Sequence, residues 1–314
     1  MSAQAGFYVT KPGFFSLLQD AGRRGVMHMG LASGGAMDRH AWAWANHLLG
    51  NDYGAAALEI TFGGAEFSCG LNTQIVVTGA DVKLTVNGEP TPLWTTLHVS
   101  AGDSVALSAP RTGVRAYLAV RGGFLVGPGL GGSCATVVRE GTGGLQGNGH
   151  AIKEGDLIPC GAISQLAINR KIPNQWIPDY RKPLTLDVLP CAQVEQFSER
   201  ALATFFSNAY TLSPQSDRMG ARLTGPALEV SVRQLASEGT SLGAIQVPAD
   251  GQPIILLQDR QTIGGYPKLG AVTPRSLDAL AQRPPGTSLR FREISLVDAQ
   301  QQERQLLAFF NTAR

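Results

Sequence analysis

Turn residues set the first constraint on this chain. Its 314 residues include 38 glycines and 18 prolines, spread between short apolar segments, a distribution that favours short strands over long helices. Residues 82–86 alternate apolar and polar side chains, and Asn87-Gly88 then supplies the positive φ angles of a tight hairpin. Gly102-Asp103 and Gly155-Asp156 each precede a short strand-like run. Residues 116–120 and 254–257 are apolar throughout and suit strands buried on both faces. Turn signals at this spacing predict a mainly β protein, a sandwich or a barrel, with a few short helices.

The helices are legible from their ends. Asp38 is placed to cap one whose apolar face is Ala41, Trp42, Ala45, Leu48 and Leu49, with Gly50 to end it. Val194, Phe197, Ala201 and Phe205 recur at helical spacing in a second. Thr273-Pro274 is a cap followed by proline at the first helical position, with Leu277, Leu280 and Ala281 behind it. A glutamine-rich stretch from Asp298 has Leu306, Leu307, Phe309 and Phe310 as its only anchors. The length predicts about two domains. Polar, proline-marked residues around 165–183 divide the chain into 1–175 and 176–314, with a new strand starting at Leu184.

Charge and cysteine usage narrow the function classes. Lysine and arginine number 26 against 24 acids, with no basic stripe, so no nucleic-acid partner is expected. Cys69, Cys134, Cys160 and Cys191 lie far apart, without zinc or redox spacing, and read as reduced cytoplasmic thiols. The first residues do not have the pattern of a secretory signal, and no apolar run reaches about 18 residues, so no membrane partner is expected.

Gly127-Pro-Gly-Leu-Gly-Gly132 spells a dinucleotide fingerprint, but Ser133-Cys-Ala-Thr-Val-Val138 follows, with β-branched residues instead of an amphipathic helix. It reads as a glycine loop beside a strand, with backbone amides that an anion can meet. His40 and His47 share a helix face without a carboxylate ligand beside them and read as packing residues, so no metal is expected. No histidine is placed by sequence to activate Cys134.

Three polar clusters stand out. The first is Gln19-Asp20-Ala-Gly-Arg23, continuing to Gly34-Gly35-Ala-Met-Asp38. The second is Ser216-Asp217-Arg218-Met219-Gly220 with Arg222. The third runs from Gln258 and Asp259 through Gln261, Thr262, Gly264, Gly265 and Tyr266 to Lys268. Each is readable as a set of hydrogen-bonded turns. Together they also suit a site for a small anionic substrate.

At these clusters the sequence resembles the biotin-dependent carboxyltransferase and allophanate hydrolase subunit 2 family. The resemblance runs from about residue 10 to 295. It rests on Gln19-Asp20-x-Gly22-Arg23, Gly35-Ala-Met-Asp38, Ala57-Leu-Glu-Ile-Thr61, Gly132-Ser-Cys-x-Thr136, Pro214-Gln-Ser-Asp-Arg-Met-Gly220 and Gln261-Thr262-x-Gly264-Gly265-Tyr266-Pro267-Lys268. The chain departs from the family's usual pattern at Ala135, at Cys191-Ala192-Gln193 and at Ile263.

The resemblance implies tandem cyclophilin-like β-barrels. It also implies one component of a multi-subunit, ATP-dependent 5-oxoprolinase, working with the A and B subunits of that enzyme, and an ATP site that one of these partners can share. No Met-Lys-Met segment is present, so no biotin is expected on this chain. In such a site Arg23, Arg218 and Lys268 are placed to hold a carboxylate or phosphate. Asp20, Asp38, Asp217 and Asp259 are the acids that would polarise water or the lactam N–H. Gln261, Thr262 and Tyr266 would orient the ring, and Gln19, Gly264 and Gly265 would also bind the substrate. Two alternatives stay open: the carboxyltransferase half of a urea carboxylase-like system, and a regulator that binds a kinase inhibitor.

Overall fold

The computed structural model describes residues 5–162, 169–231 and 235–312. Asn87 and Gly88 take φ of 53° and 83° and join Leu84–Val86 to Glu89–Thr91, the paired positive angles that a two-residue hairpin needs. The chain divides into two compact units. One comprises Met1–Arg24, Gly34–Arg181 and Phe310–Arg314, the other Gly25–Ser33 and Lys182–Phe309. The main border therefore lies six residues beyond the expected 175/176, between Arg181 and Lys182. Part of the expected link, 165–168, lies outside the described residues.

In the first unit the strands form two sheets. The six-stranded sheet runs Leu157–Pro159, Gly6–Pro12, Ala65–Cys69, Ser104–Leu107, Leu84–Val86, Glu89–Thr91. The five-stranded sheet runs Phe15–Gln19, Ala57–Thr61, Arg115–Val120, Thr73–Gly79, Leu97–Val99. Phe7, Val9 and Phe67 from the first sheet share one core with Leu58, Ile60, Ile75 and Leu118 from the second. Phe7 meets Phe67 edge to face at 6.4 Å. This unit is thus two sheets over a common core, not a barrel closed by hydrogen bonds. Both end strands of the six-stranded sheet are three residues long and carry a proline, Pro90 or Pro159, which has no N–H with which to continue a ladder.

Helix α1, Arg39–Leu48, starts where Asp38 accepts the Ala41 N–H at 2.9 Å. Residues 41–46 are all buried, and the alanines let the helix lie against Thr73–Gly79 and Arg115–Val120. There Thr78 donates its hydroxyl to the Ala41 carbonyl at 2.7 Å.

The second unit holds a closed barrel of seven strands, in the order Leu184–Pro190, Lys268–Val272, Ala244–Gln246, Ile254–Leu256, Gly220–Thr224, Tyr210–Leu212, Ser288–Glu293. Closure is parallel, Leu184 opposite Leu289 through Val188 opposite Glu293. The single helix expected over Val194 to Phe205 is two: a 3-10 turn at Ala192–Gln196, then α2 at Glu199–Ser207. Ser198 divides them by accepting the Ala201 N–H at 3.1 Å, which makes it a cap and resets the chain. Phe205 of α2 stacks on barrel Phe291 at 4.1 Å. Helix α3, Pro274–Leu280, begins at its expected Thr273-Pro274 cap, and α4 spans Leu296–Thr312. A two-residue ladder joins Glu238–Gly239 to Ile263–Gly264. No helix among the described residues is long and apolar enough to cross a membrane.

Candidate functional site

In the first unit the end of strand Phe15–Gln19 forms a clamp. Gln19 donates to the Thr136 carbonyl at 3.0 Å and accepts the Gly35 N–H at 3.2 Å. Asp20 accepts from Gly22 N at 2.8 Å, Ser133 Oγ at 2.6 Å and Cys134 N at 2.7 Å. Arg23 donates Nη2 to the Ala135 carbonyl at 2.6 Å. Thr136 returns its hydroxyl to the Leu18 carbonyl at 2.9 Å. Residues 133–136, which follow the glycine loop, are gripped through their backbone by the first cluster. Gly143 makes the close approach possible, since a β-carbon there would lie 1.9 Å from the Ala135 carbonyl oxygen.

The acids and the cation of this clamp differ in how fully they are satisfied. Asp20 has three donors, as a buried carboxylate requires. Arg23 is 4% exposed, yet its Nε and Nη1 have no hydrogen-bond partner among the described residues. Each unmet buried donor costs about 1–3 kcal/mol, a standing cost that ordinary packing does not explain. Burial first, and then the charge of Asp20, push the Cys134 thiol far above its ordinary range. It stays protonated and is no nucleophile at neutral pH.

Asp38 belongs to another network. Its backbone N–H donates to Tyr117 Oη at 2.8 Å, and Tyr117 donates to Glu59 Oε2 at 2.8 Å. Glu59 also accepts the Met37 N–H at 2.8 Å. The Asp38 carboxylate caps α1 and accepts the Tyr180 hydroxyl at 3.4 Å. Burial first, then the charges of Glu59 and Asp38, raise the Tyr117 hydroxyl well above its usual value. Glu59 and Tyr117 were not singled out as site residues from the sequence. The available signal was a carboxylate in the middle of an otherwise apolar strand, Ala57–Thr61. His40 accepts the Trp44 indole N–H at 3.1 Å, and His47 meets the Trp44 ring.

In the second unit Arg218 grips Asp259 with two bonds, 2.8 and 3.1 Å, and both are buried. Asp217 does not join them. Its Oδ1 accepts the N–H groups of Met219 and Gly220 in a turn. Arg260 is 5% exposed and has no carboxylate partner among the described residues. Its contacts are long: 3.5 Å to the Thr240 carbonyl, 3.4 Å to that of Leu257 and 3.5 Å to the Met27 sulfur.

The remaining residues gather around the Glu238–Gly239 ladder. Lys268 Nζ donates to Glu238 Oε1 at 2.7 Å, and its backbone N–H donates to Gln193 at 2.9 Å. Hydrogen bonding to Lys268 holds the Glu238 carboxyl below its usual value. Gln261 Nε2 reaches Gln246 Oε1 at 3.4 Å, and Thr262 accepts the Thr240 N–H at 3.0 Å. Gly264 pairs with Glu238, Gly265 accepts the Leu235 N–H, and Tyr266 is exposed. Gln246, within the family-like stretch Gly243-Ala-Ile-Gln-Val-Pro248, was not singled out as a site residue from the sequence.

The clustered acids Asp20, Asp38, Asp217 and Asp259 are taken up by donors, while Arg23 keeps unmet donors and Arg260 makes only long contacts. The arrangement suits holding anions more than moving protons.

The family model of the carboxyltransferase domain, subdomain A and B, matches residues 29–293. The C subunit of the Escherichia coli 5-oxoprolinase is 35% identical over 93% of this chain and 92% of its own length. Its counterpart in Haemophilus influenzae is 33% identical over 90% of this chain and 89% of its own. The crystal structure of the Kluyveromyces lactis urea carboxylase superposes on the whole chain with a TM-score of 0.90 at 26% identity, the chain covering 30% of that protein.

Proposed function

Because the chain belongs to the carboxyltransferase-domain family, subdomains A and B, we propose that it is one component of a multi-subunit, ATP-dependent 5-oxoprolinase. It acts with the A and B subunits of that enzyme to open 5-oxo-L-proline to L-glutamate, with ADP and phosphate as the other products. The near end-to-end correspondence with two bacterial C subunits, in both directions, carries this reading.

The chemistry fits what the chain offers. A lactam carbonyl is a poor electrophile. Transfer of a phosphoryl group from ATP to its oxygen makes the carbon attackable by water, the C–N bond then breaks to leave an acyl phosphate, and a second water releases phosphate. The protein's tasks are then to position the ring and to neutralise charge on the phosphoryl and carboxylate groups. Arg23 in the first unit, with two unmet donor nitrogens, and Lys268 in the second are each suited to an anion. The carboxylates of Asp38, Asp217 and Asp259 are already committed to a cap, a turn and an ion pair. ATP is a co-substrate whose site a partner chain shares.

The test is co-expression with the A and B subunits, and assay of glutamate and phosphate release with each component omitted in turn. Activity is expected only when all three are present. Full turnover by this chain alone overturns the proposal.

The superposition on the urea carboxylase favours a second reading, the carboxyltransferase half of a biotin-dependent system with biotin on another chain. Avidin separates the two. It leaves a 5-oxoprolinase untouched and stops a biotin-dependent enzyme.

A further inference from the structure

Gln246 and Lys268 are directly opposed in the barrel, on strands Ala244–Gln246 and Lys268–Val272, so their side chains leave the same face side by side. Both are buried, at 1% and 7% exposure. Gln246 Oε1 accepts one long bond from Gln261, 3.4 Å, and its Nε2 has no partner among the described residues. That amide nitrogen is aimed at Gly264, where a β-carbon would lie 2.6 Å from it. Gly264 does not have a left-handed φ, so backbone conformation does not demand glycine there, whereas the approach of the carboxamide does. A primary amide enclosed with its donor unmet is costly unless something else fills that bond.

We propose that this corner of the barrel is a subsite for a small cyclic amide that carries a carboxylate, Gln246 pairing with the amide and Lys268 with the carboxylate. The inference rests on the 5-oxoprolinase reading and deepens it. A ring amide is held cis, so its N–H and C=O lie on one edge and a single carboxamide meets both. Nε2 of Gln246 donates to the lactam oxygen, and Oε1 accepts from the lactam N–H. In 5-oxoproline the carboxylate sits on the carbon next to that nitrogen, where a cation beside the carboxamide reaches it. Lys268 becomes available when Glu238 lets go. The Glu238 side chain is 53% exposed and that of Lys268 9%, so Glu238 can pass into water only as the ligand's carboxylate takes its place on the buried ammonium.

The experiment dissects the ligand. Binding to the full chain is measured by saturation-transfer NMR with 2-pyrrolidinone, which is lactam without carboxylate, and with cyclopentanecarboxylate, which is carboxylate without lactam. Gln246→Leu is expected to weaken 2-pyrrolidinone about tenfold and cyclopentanecarboxylate less than about twofold. Lys268→Met is expected to do the reverse. Should either variant fail to fold, the uncharged, similarly shaped Gln246→Met and Lys268→Gln replace it with the same expected pattern. Equal weakening of both probes, no weakening of either, or no binding by the wild-type chain overturns the subsite. An assembled complex that turns over 5-oxoproline with its KM unchanged by Gln246→Leu also overturns it. A complex inactive on 5-oxoproline, with the crossed binding pattern intact, overturns the proposed function and supports the subsite.

Discussion

Arg23 and Asp20 sit three positions apart and are held in opposite ways. Asp20 is saturated by Gly22, Ser133 and Cys134, so its job within the first unit is to fix residues 133–136. Arg23 contributes a single bond, to the Ala135 carbonyl, and leaves two donors unspent. A buried cation kept for folding would be fully bonded. Arg23→Met is therefore expected to change stability by less than about 1 kcal/mol, because losing one bond is offset by removing a buried charge. In the assembled complex it is expected to lower kcat/KM about a hundredfold. Urea denaturation followed by tryptophan fluorescence reads the first quantity well, since Trp42, Trp44, Trp94 and Trp176 all lie in that unit. A large loss of stability with activity retained would make Arg23 a structural residue.

The motif holding both residues was legible because Gln19-Asp20-Ala-Gly-Arg23 packs unlike polar groups into one turn. Gln246 was not. Its meaning depends on standing opposite Lys268, about twenty residues further along the chain, and such a register is invisible to local pattern.

Helix α1 shows how far local signals reach. Asp38 as cap, the apolar stripe and the turn at Gly50 were readable, because caps and periodicity act within one or two turns of the chain. What surrounds the helix was not readable, and it sets the chemistry of His47. The C-terminal end of a helix ordinarily favours a protonated histidine. Here burial first, and the charge of Arg170 second, hold the His47 pKa below 6.5, while Arg170 itself donates to the His47 carbonyl at 3.0 Å.

The sign follows directly. The unfolded chain binds the His47 proton more readily than the folded one, so stability is greatest above pH 6.5 and falls as pH drops through that value towards the lowered folded pKa. Thermal denaturation between about pH 7.5 and 5.5 is expected to show this decline, and His47→Gln to flatten it. A decline of the same slope in the variant would assign it to other groups. The split between Ala192–Gln196 and α2 was missed for a related reason. Val194, Phe197, Ala201 and Phe205 keep helical spacing across Ser198, and only the hydroxyl's bond to Ala201 shows that the chain restarts there.

At the scale of the whole chain, turn density foretold β structure but not its closure. The second unit closes because Leu184–Pro190 meets Ser288–Glu293 in parallel about a hundred residues on. The first keeps two sheets, of which the six-stranded one ends on both sides in a short strand that carries a proline. Pairings of that separation came into view through family resemblance alone.

One property is common to both units: the clustered acids Asp20, Asp38, Asp217 and Asp259 are spent on donors, while Arg23 and Arg260 are buried with no carboxylate partner among the described residues. Such a chain is less stable empty than filled, and an anionic ligand that binds only the folded state adds to its stability. At a hundred times its dissociation constant that gain is about 2.7 kcal/mol. Each kcal/mol is worth about 2–4 °C in melting temperature for a unit of this size, so the full gain is about 5–10 °C. 5-Oxo-L-proline is thus expected to raise the melting temperature of the full chain by that amount over sodium chloride at equal ionic strength, and 2-pyrrolidinone by less. The same melting temperature in both salts, at concentrations that saturate turnover in the assembled complex, would show that the unspent cations belong to a partner's surface and not to the substrate.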